Sequence, residues 1–207
     1  MNELNKENLE QACEKYPTIE GRARFYDVAV KIVDAHPLQA SIILLAVWNM
    51  NRFRFMASDG RNLVNLQKAL EECKPLFERV KGKDFRNVDF DEIEDAVKQI
   101  YSTLSKVKGV EYTGASKVMH LLNRDLFLMW DSDMREEYCY KNKRDENGYF
   151  DYLKQVQNKV RNIEWNMSNK TLPKAIDEFN FVNITYPRKE TRKKDAKMKG
   201  KKIFRMC

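Results

Sequence analysis

Asp131 is the residue whose type and setting most suggest chemistry. It directly follows the apolar segment Leu126–Trp130 and precedes a predicted helix. A carboxylate held behind apolar residues can stabilise a developing positive charge or deprotonate a nucleophile. The alternative is structural, because aspartate is favoured at helix N-caps, and Asp133 with Glu136 has the spacing of a capping box. Under either interpretation a helix starts just after Asp131.

The segment before Asp131 predicts two helices joined by a tight turn. Gly109 lies 22 residues before Asp131 and permits a turn with a positive φ angle. Apolar residues then recur at helical spacing at Ala115, Val118, Met119 and Leu122. The helix that we expect over residues 113–123 therefore packs one face inward. Two helices, a glycine-containing turn and a downstream acid together make one predicted unit.

In this arrangement the chain resembles the helix-hairpin-helix DNA glycosylases, the superfamily of endonuclease III and the archaeal 8-oxoguanine glycosylases. That family has two hairpin glycines and an aspartate 22 residues after the first, the separation found here between Gly109 and Asp131. The segment FLMWDSDMR resembles the family's apolar segment, aspartate and following helix. Over about residues 38–184, the resemblance implies an all-α fold with two helical lobes and a cleft between them.

The resemblance implies that Asp131 is the catalytic residue of a DNA N-glycosylase of base excision repair. Breaking the N-glycosidic bond leaves positive charge on the sugar, which a fixed carboxylate stabilises. Bifunctional members carry a lysine nucleophile 18 residues before the aspartate, where this chain has Thr113. A hydroxyl cannot form a Schiff base. We therefore expect a monofunctional enzyme in which Asp131 activates water to remove a damaged or mismatched base.

Lys117 is the second candidate catalytic residue, because it lies one turn after Thr113 on the same helix face. One turn moves the amine about 5 Å, which is more than the geometry of attack tolerates. A phosphate contact or a solvated charge is the simpler expectation. The family's second hairpin glycine is Glu111 here, whose carboxylate repels phosphate unless it points away. Glu111 and Thr113 favour the alternative of a non-catalytic DNA-binding module with the same fold.

The resemblance also implies which residues contact double-stranded DNA. Hairpins of this kind present backbone N–H groups at a helix N-terminus to a phosphate. An Asn or Gln after the central helix fills the gap left by a flipped nucleotide. The residues expected to contact DNA are Asn51, Arg52, Lys108, Gly109, Val110, Thr113 and Gly114. Asn49 is the alternative to Asn51 as the residue that fills the gap.

A flipped base needs a pocket lined by aromatic side chains on which it can stack. The expected pocket residues are Trp48, Phe53, Trp130, Asp177 and Phe181. Asp177 and Phe181 come from a resemblance to the closing helix of the archaeal 8-oxoguanine glycosylases. Each aromatic residue can instead belong to the core, because aromatics at helical spacing usually do.

The apolar periodicity predicts helices along the chain and no strand of any length. Residues 38–50 are apolar nearly all round, which is typical of a buried central helix. Residues 51–62 break the pattern and predict a loop. Further helices are expected at about residues 61–80, 149–167 and 173–184. The fold class is therefore all-α.

Charge divides the chain into a body and a tail. The net charge is +7, and residues 187–207 alone hold ten Lys/Arg against two Asp/Glu. We therefore expect a helical domain over residues 1–186 and a flexible basic tail over 187–207. Such a tail suits DNA or any acidic surface, or is simply a solvated terminus. A helical interaction domain whose tail binds RNA or an acidic partner remains an alternative function.

Composition indicates the protein's surroundings. No apolar run approaches the length of a membrane span, and no signal peptide opens the chain. Four scattered cysteines form no C-x-x-C pair, which argues against zinc and against a disulfide framework. We expect a monomer in a reducing, intracellular compartment, either the cytoplasm with its nucleoid or a nucleus. We expect no membrane partner, metal ion or cofactor.

Overall fold

The structure is a computed structural model that describes residues 3–204, with side chains described up to residue 196. All regular secondary structure in that range is helical, which confirms the all-α class. The helices are α1 (Lys6–Ile19), α2 (Ala23–Ile32), α3 (Pro37–Trp48), α4 (Met50–Ala57), α5 (Gly60–Arg79), α6 (Glu94–Ser105), α7 (Glu111–Leu122), α8 (Ser132–Glu137), α9 (Glu146–Val160), α10 (Leu172–Asn180) and α11 (Tyr186–Phe204). A 3₁₀ turn at Asp91–Ile93 precedes α6, and a π-helical turn at Phe181–Thr185 joins α10 to α11.

Side-chain caps determine where several helices begin. Asp59 accepts a hydrogen bond from the Arg61 N–H at the start of α5. Asp145 accepts one from the Gly148 N–H at the start of α9. Each cap satisfies a backbone donor that has no partner within the helix, which stabilises the helix by about 1 kcal/mol.

The core centres on α6 and an aromatic cluster beside it. Tyr101 stacks on Tyr149 with ring centroids 4.5 Å apart, and Trp130 contacts the rings of Tyr149 and Tyr152 at 5.3 Å. The Trp130 indole N–H donates to the Tyr101 hydroxyl at 3.1 Å, so the buried polar atoms of the cluster are satisfied. In the part of the chain that the structure describes, no helix is both long and apolar enough to cross a membrane.

Two predictions about α3 and its surroundings are wrong. Residues 38–50 were expected to form the buried central helix, but α3 buries only the face that carries Ala40, Ser41, Leu44 and Leu45. Residues 51–62 were expected to form a loop, yet most of this segment is α4. The physical reason is that Met56 is buried and Phe53 packs against the core, so this segment has an apolar face of its own.

The described part of the basic segment 187–207, which was expected to be a flexible tail, is helical. Residues 186–204 form α11, and residues 205–207 lie outside the described residues. Arg188 donates to the Asp133 carbonyl at 2.9 Å and forms an ion pair with Glu137 at 2.7 Å. Arg192 forms an ion pair with the Asp133 carboxylate. These contacts hold the first turns of α11 against α8, so residue 186 is not the end of the folded domain.

His120 lies beside a second, smaller apolar cluster formed by α2, α3 and α7. Its Nδ1 is 2.7 Å from the Phe127 carbonyl oxygen, and its Nε2 is 2.8 Å from the Tyr26 hydroxyl. A neutral ring satisfies both partners, with Nδ1–H donating to the carbonyl and Nε2 accepting from the hydroxyl. Burial lowers the pKa of His120 from 6.5 to about 4.

We expect His120 to make the free energy of unfolding depend on pH. The unfolded chain takes up the His120 proton near pH 6.5 and the folded chain only near pH 4. The stability from the neutral ring is therefore present above pH 6.5 and is lost as pH falls toward 4, by about 3 kcal/mol. Urea denaturation at several pH values should show this extra loss in the wild type and not in His120→Asn.

The exposed His36 provides the control for this measurement. His36→Asn should keep the extra loss of stability at low pH, because His120 and its buried partners are unchanged in this variant. An equal loss of stability in wild type and His120→Asn between pH 7 and pH 4 would show that His120 is not buried in its neutral form.

Candidate functional site

A cleft of about 480 Å³ opens between α7, the start of α8, the α3–α4 junction and the continuous helix from α10 into α11. The predicted site residues that line it are Trp48, Asn51, Arg52, Val110, Thr113, Lys117, Asp131, Asp177 and Phe181. Lining residues that the sequence did not single out include Tyr16, Arg135, Arg144, Thr185, Lys189 and Arg192. The fold thus brings together most of the predicted site residues from four separate segments.

Asp131 caps α8 and also faces the cleft. Its Oδ1 accepts hydrogen bonds from the backbone N–H groups of Asp133 at 2.8 Å and Met134 at 2.9 Å. Its Oδ2 accepts a hydrogen bond from the Thr185 hydroxyl at 3.1 Å, and the residue remains partly exposed. The cap fixes the direction of the carboxylate, so the structural role expected for Asp131 does not exclude a chemical one.

The π-helical turn at Phe181–Thr185 brings Thr185 to Asp131. Turns of this kind are rare within helices and are frequently found at functional sites. Asp177, Phe181, Thr185 and Lys189 line the cleft at intervals of four residues along one helix face. This spacing is a signal in the sequence that could have identified Thr185 and Lys189, since Asp177 and Phe181 were already candidates.

Lys117 projects from α7 into the same cleft as Asp131. Burial lowers the pKa of its amine below the ordinary value, while the carboxylates of Asp177 and Asp131 oppose that change. Among the described residues, no carboxylate forms an ion pair with this amine. The group is therefore a cleft-facing amine that loses its proton more readily than a solvated lysine does.

Asp177 is held in place by the buried ammonium of Lys174. The Lys174 Nζ lies 2.9 Å from Asp177 Oδ2 and 3.4 Å from Glu178 Oε1. It also lies 4.6 Å from the Tyr16 ring centroid and 4.7 Å from that of Tyr26. Burial disfavours the charge on Lys174, but these partners outweigh burial and raise the pKa of Lys174 well above its ordinary value. The ammonium therefore stays charged and anchors the Asp177 carboxylate at the cleft wall.

The aromatic residues predicted for a base pocket divide between the cleft and the core. Trp48 and Phe181 line the cleft, and Tyr16 meets Phe181 edge to face with centroids 5.3 Å apart. Trp130 is a correction, because its side chain is fully buried among tyrosines and has no free face. Phe53 is a second correction, because it packs against the core and does not line the cleft.

Two residues of the turn between α6 and α7 have positive φ angles. Gly109 has φ +96°, and Glu111 has φ +53°. A positive φ at a glutamate is uncommon, because the left-handed region favours glycine. The Glu111 carboxylate pairs with the Arg52 guanidinium at 2.9 Å, so it points toward α4 and its charge is partly neutralised.

The hairpin glycines are buried and provide room for close packing against other parts of the protein. A Cβ on Gly109 would lie 2.8 Å from the Met56 Cβ, and one on Gly114 would lie 2.8 Å from the Asn49 Nδ2. Val110 borders the cleft but is also fully buried. The Asn49 side chain donates to the carbonyls of Gly109 at 3.2 Å and Val110 at 2.9 Å. The residues of the turn thus seat α7 against the α3–α4 junction.

The remaining residues predicted to contact DNA are accessible. Asn51, Arg52 and Lys108 are exposed, and Thr113 is partly exposed. Asn49 is buried and bonded to the hairpin, so of the two asparagines only Asn51 is free to fill a gap in DNA. Lys108 lies at the turn outside the cleft, with its Nζ 5.9 Å from the Phe55 ring centroid.

Comparisons of the chain with protein-family models, with curated proteins and with solved structures find no match. The assignment of a function therefore depends on the residues of the cleft and their geometry.

We expect Asn49→Ala to destabilise the protein by about 1–3 kcal/mol, because two buried carbonyls each lose one hydrogen bond. Asn51→Ala is the matched control on the neighbouring exposed position, and it should change stability by no more than about 0.5 kcal/mol. Urea denaturation measures both values. Equal and small effects of the two substitutions would show that the asparagine does not hold the hairpin.

Proposed function

We propose that the protein is a DNA N-glycosylase of base excision repair with a helix-hairpin-helix fold, whose two helical lobes flank the cleft. The observation that carries the proposal is the Asp131 carboxylate, which is fixed by its cap and partly exposed in a cleft with aromatic walls. The positive-φ turn and its 22-residue separation from Asp131 add support from the sequence. The protein acts as a monomer on double-stranded DNA inside the cell.

The charge around the cleft suits a polyanion. Arg52, Arg144 and Lys189 line it, and Lys108 is exposed at the adjacent turn. Cations in this arrangement attract the DNA backbone and release its counterions, so DNA affinity should fall steeply as salt rises. The cleft holds a nucleotide that has been flipped out of the duplex, because a base within the stack is out of reach of Asp131.

Asp131 has the geometry to promote hydrolysis of an N-glycosidic bond. As the bond between C1′ and the base breaks, positive charge grows on the sugar, and the fixed carboxylate stabilises it. A water molecule then attacks C1′ and passes its proton to Asp131. The departing base takes up a proton from solvent, so the products are the neutral free base and an abasic site. Thr185 holds Oδ2 during this step, because its hydroxyl donates to that oxygen.

The walls of the cleft supply contacts for the flipped base. Trp48, Tyr16 and Phe181 offer aromatic surface for stacking. The Asp177 carboxylate can accept a hydrogen bond from a base N–H, and its ion pair with Lys174 fixes its position. A base with an N–H donor on its exposed edge fits this set of groups.

We expect Asp131→Asn to abolish base excision while DNA binding is kept or strengthened. The amide keeps the helix cap but lacks the charge that stabilises the sugar cation. The measurement uses a panel of duplexes, each with one lesion or mismatch, which are incubated with protein and heated in alkali to cut abasic sites. After incubation with the wild type, alkali should cut at least one duplex. After incubation with the variant, alkali should cut none above background.

Asp145→Asn is the matched control, because Asp145 caps α9 in the same way but does not line the cleft. It should excise bases at the wild-type rate. Full excision by Asp131→Asn would refute the proposed role of this carboxylate. DNA binding without cutting of any duplex by the wild type would favour the alternative of a non-catalytic DNA-binding module.

Lys117 favours a second candidate function, a bifunctional glycosylase that also nicks the strand. Its amine lies in the cleft, its pKa is lowered by burial, and none of the described carboxylates pairs with it. A neutral amine can attack C1′, displace the base and form a Schiff base with the opened sugar. Elimination of the 3′ phosphate from this intermediate would then break the strand. Thr113 cannot replace this amine.

Borohydride trapping decides between the two candidates. If Lys117 is the nucleophile, reduction should link the protein covalently to DNA, and the link should disappear in Lys117→Gln. The trapping rate should rise with pH and level off below pH 10.5, since the pKa of Lys117 is lowered from that value. Lys189→Gln is the control, because Lys189 lines the same cleft. Absence of trapping in the wild type would support the monofunctional enzyme.

A further inference from the structure

Arg135 on α8 is a buried guanidinium without an acidic partner. The residue is only 7% exposed, and it borders the cleft. Its one hydrogen bond to a described residue is long, 3.4 Å from Nη1 to the Thr113 hydroxyl. No described carboxylate forms an ion pair with it. Buried charges are nearly always paired, and an anion bound in the cleft would pair with this one.

The residues around Arg135 fix the orientation of its guanidinium. Its Cζ lies 5.3 Å from the centroid of the Trp130 ring, which fixes one face of the guanidinium. Stacking of this kind leaves the N–H edges free for a planar pair of hydrogen bonds. A methionine or leucine would fill the same space against Trp130 without the cost of burying a charge, so packing alone does not explain an arginine here.

A second guanidinium increases the positive charge at this point. Arg144 is exposed and lines the same cleft. Burial lowers the pKa of Arg135, and the nearby charge of Arg144 lowers it further, while Tyr101 and Asp131 oppose the change. The Tyr101 hydroxyl lies 3.1 Å from the Arg144 carbonyl and 3.2 Å from the Tyr112 carbonyl. This buried hydroxyl holds the Arg144 backbone beside the first turn of α7.

The N-terminus of α7 adds backbone donors to the two arginines. The N–H groups of Tyr112 and Thr113 have no acceptor in the described part of the chain. The helix dipole also favours an anion at this end. Glu111 is the nearby group that opposes an anion, and its ion pair with Arg52 reduces that effect.

We propose that Arg135, Arg144 and the first turn of α7 bind one phosphodiester of the DNA strand that enters the cleft. Arg135 lies four residues after Asp131, one helical turn along α8. A phosphate held there fixes the backbone next to the sugar that faces Asp131. The inference rests on the proposal that DNA occupies the cleft, and it does not require that the protein cut any bond.

Neutral-linkage scanning tests this site. A set of duplexes is made in which each carries one methylphosphonate in place of one phosphate, and the affinity of each is measured for wild type and variants. In the wild type, one linkage should weaken binding by about tenfold or more. With Arg135→Gln or Arg144→Gln, the same linkage should have little further effect, and the slope of log K against log salt should fall by about 0.9.

Arg161→Gln is the matched control. Arg161 is exposed, its Nη2 makes a similar long hydrogen bond of 3.4 Å to Gln157, and it does not line the cleft. This variant should respond to every linkage as the wild type does. If Arg135→Gln does not fold, the exposed Arg144→Gln gives the same test.

Three results would overturn the proposal. The first is that every methylphosphonate weakens DNA binding by either arginine variant as much as it weakens binding by the wild type. The second is that Arg161→Gln changes the linkage scan as much as the arginine variants do. The third is that inorganic phosphate raises the thermal midpoint of the wild type but not of Arg135→Gln, while no single DNA linkage depends on Arg135. That result would indicate a small phosphate ligand instead. Base excision by Arg144→Gln is measured in a separate assay. That assay shows whether it is the phosphate site or the glycosylase proposal that fails.

Discussion

The close packing of the hairpin against the α3–α4 junction is the constraint on which the cleft depends. Gly109 and Gly114 allow this contact because a Cβ at either position would clash with Met56 or Asn49. Asn49 secures it by donating to two hairpin carbonyls. With α7 seated in this way, Lys117 lies in the same cleft as residues of α3, α8 and α10. Two small residues and one amide thus determine the geometry of the site.

The charges of the cleft fall into two groups with different consequences. Asp177 forms an ion pair with Lys174, and Asp131 accepts hydrogen bonds from backbone N–H groups and from Thr185. Both carboxylates therefore have fixed directions. Lys117 and Arg135 have no carboxylate partner among the described residues. A site with oriented carboxylates and uncompensated cations is suited to an anionic ligand that develops positive charge as it reacts. A DNA strand that loses a base meets both conditions.

The local features were predicted well from the sequence, but the positions of the aromatic residues were predicted poorly. Asp131, its cap and the turn at Gly109 depend on neighbouring residues, so spacing was sufficient to predict them. Trp130 was assigned to a base pocket because sequence does not show which aromatic faces are covered by tyrosines from α6 and α9. The start of the helix over residues 186–204 was missed because Arg188 and Arg192 form ion pairs with residues of α8, which are distant in sequence. Arg135 was missed for the same reason, since only the fold reveals that it lacks an acidic partner.

The proposed reaction releases a free base from DNA, and mass spectrometry of the small-molecule products detects that base. Duplexes that contain the base excised in the lesion panel are incubated with the protein. The mixture is then filtered, and the filtrate is analysed. The proposed reaction should give one equivalent of intact free base for every abasic site, and neither product should form when the protein is omitted. Release of a nucleoside or a nucleotide in place of the base would contradict it, because the broken bond would then not be the N-glycosidic one.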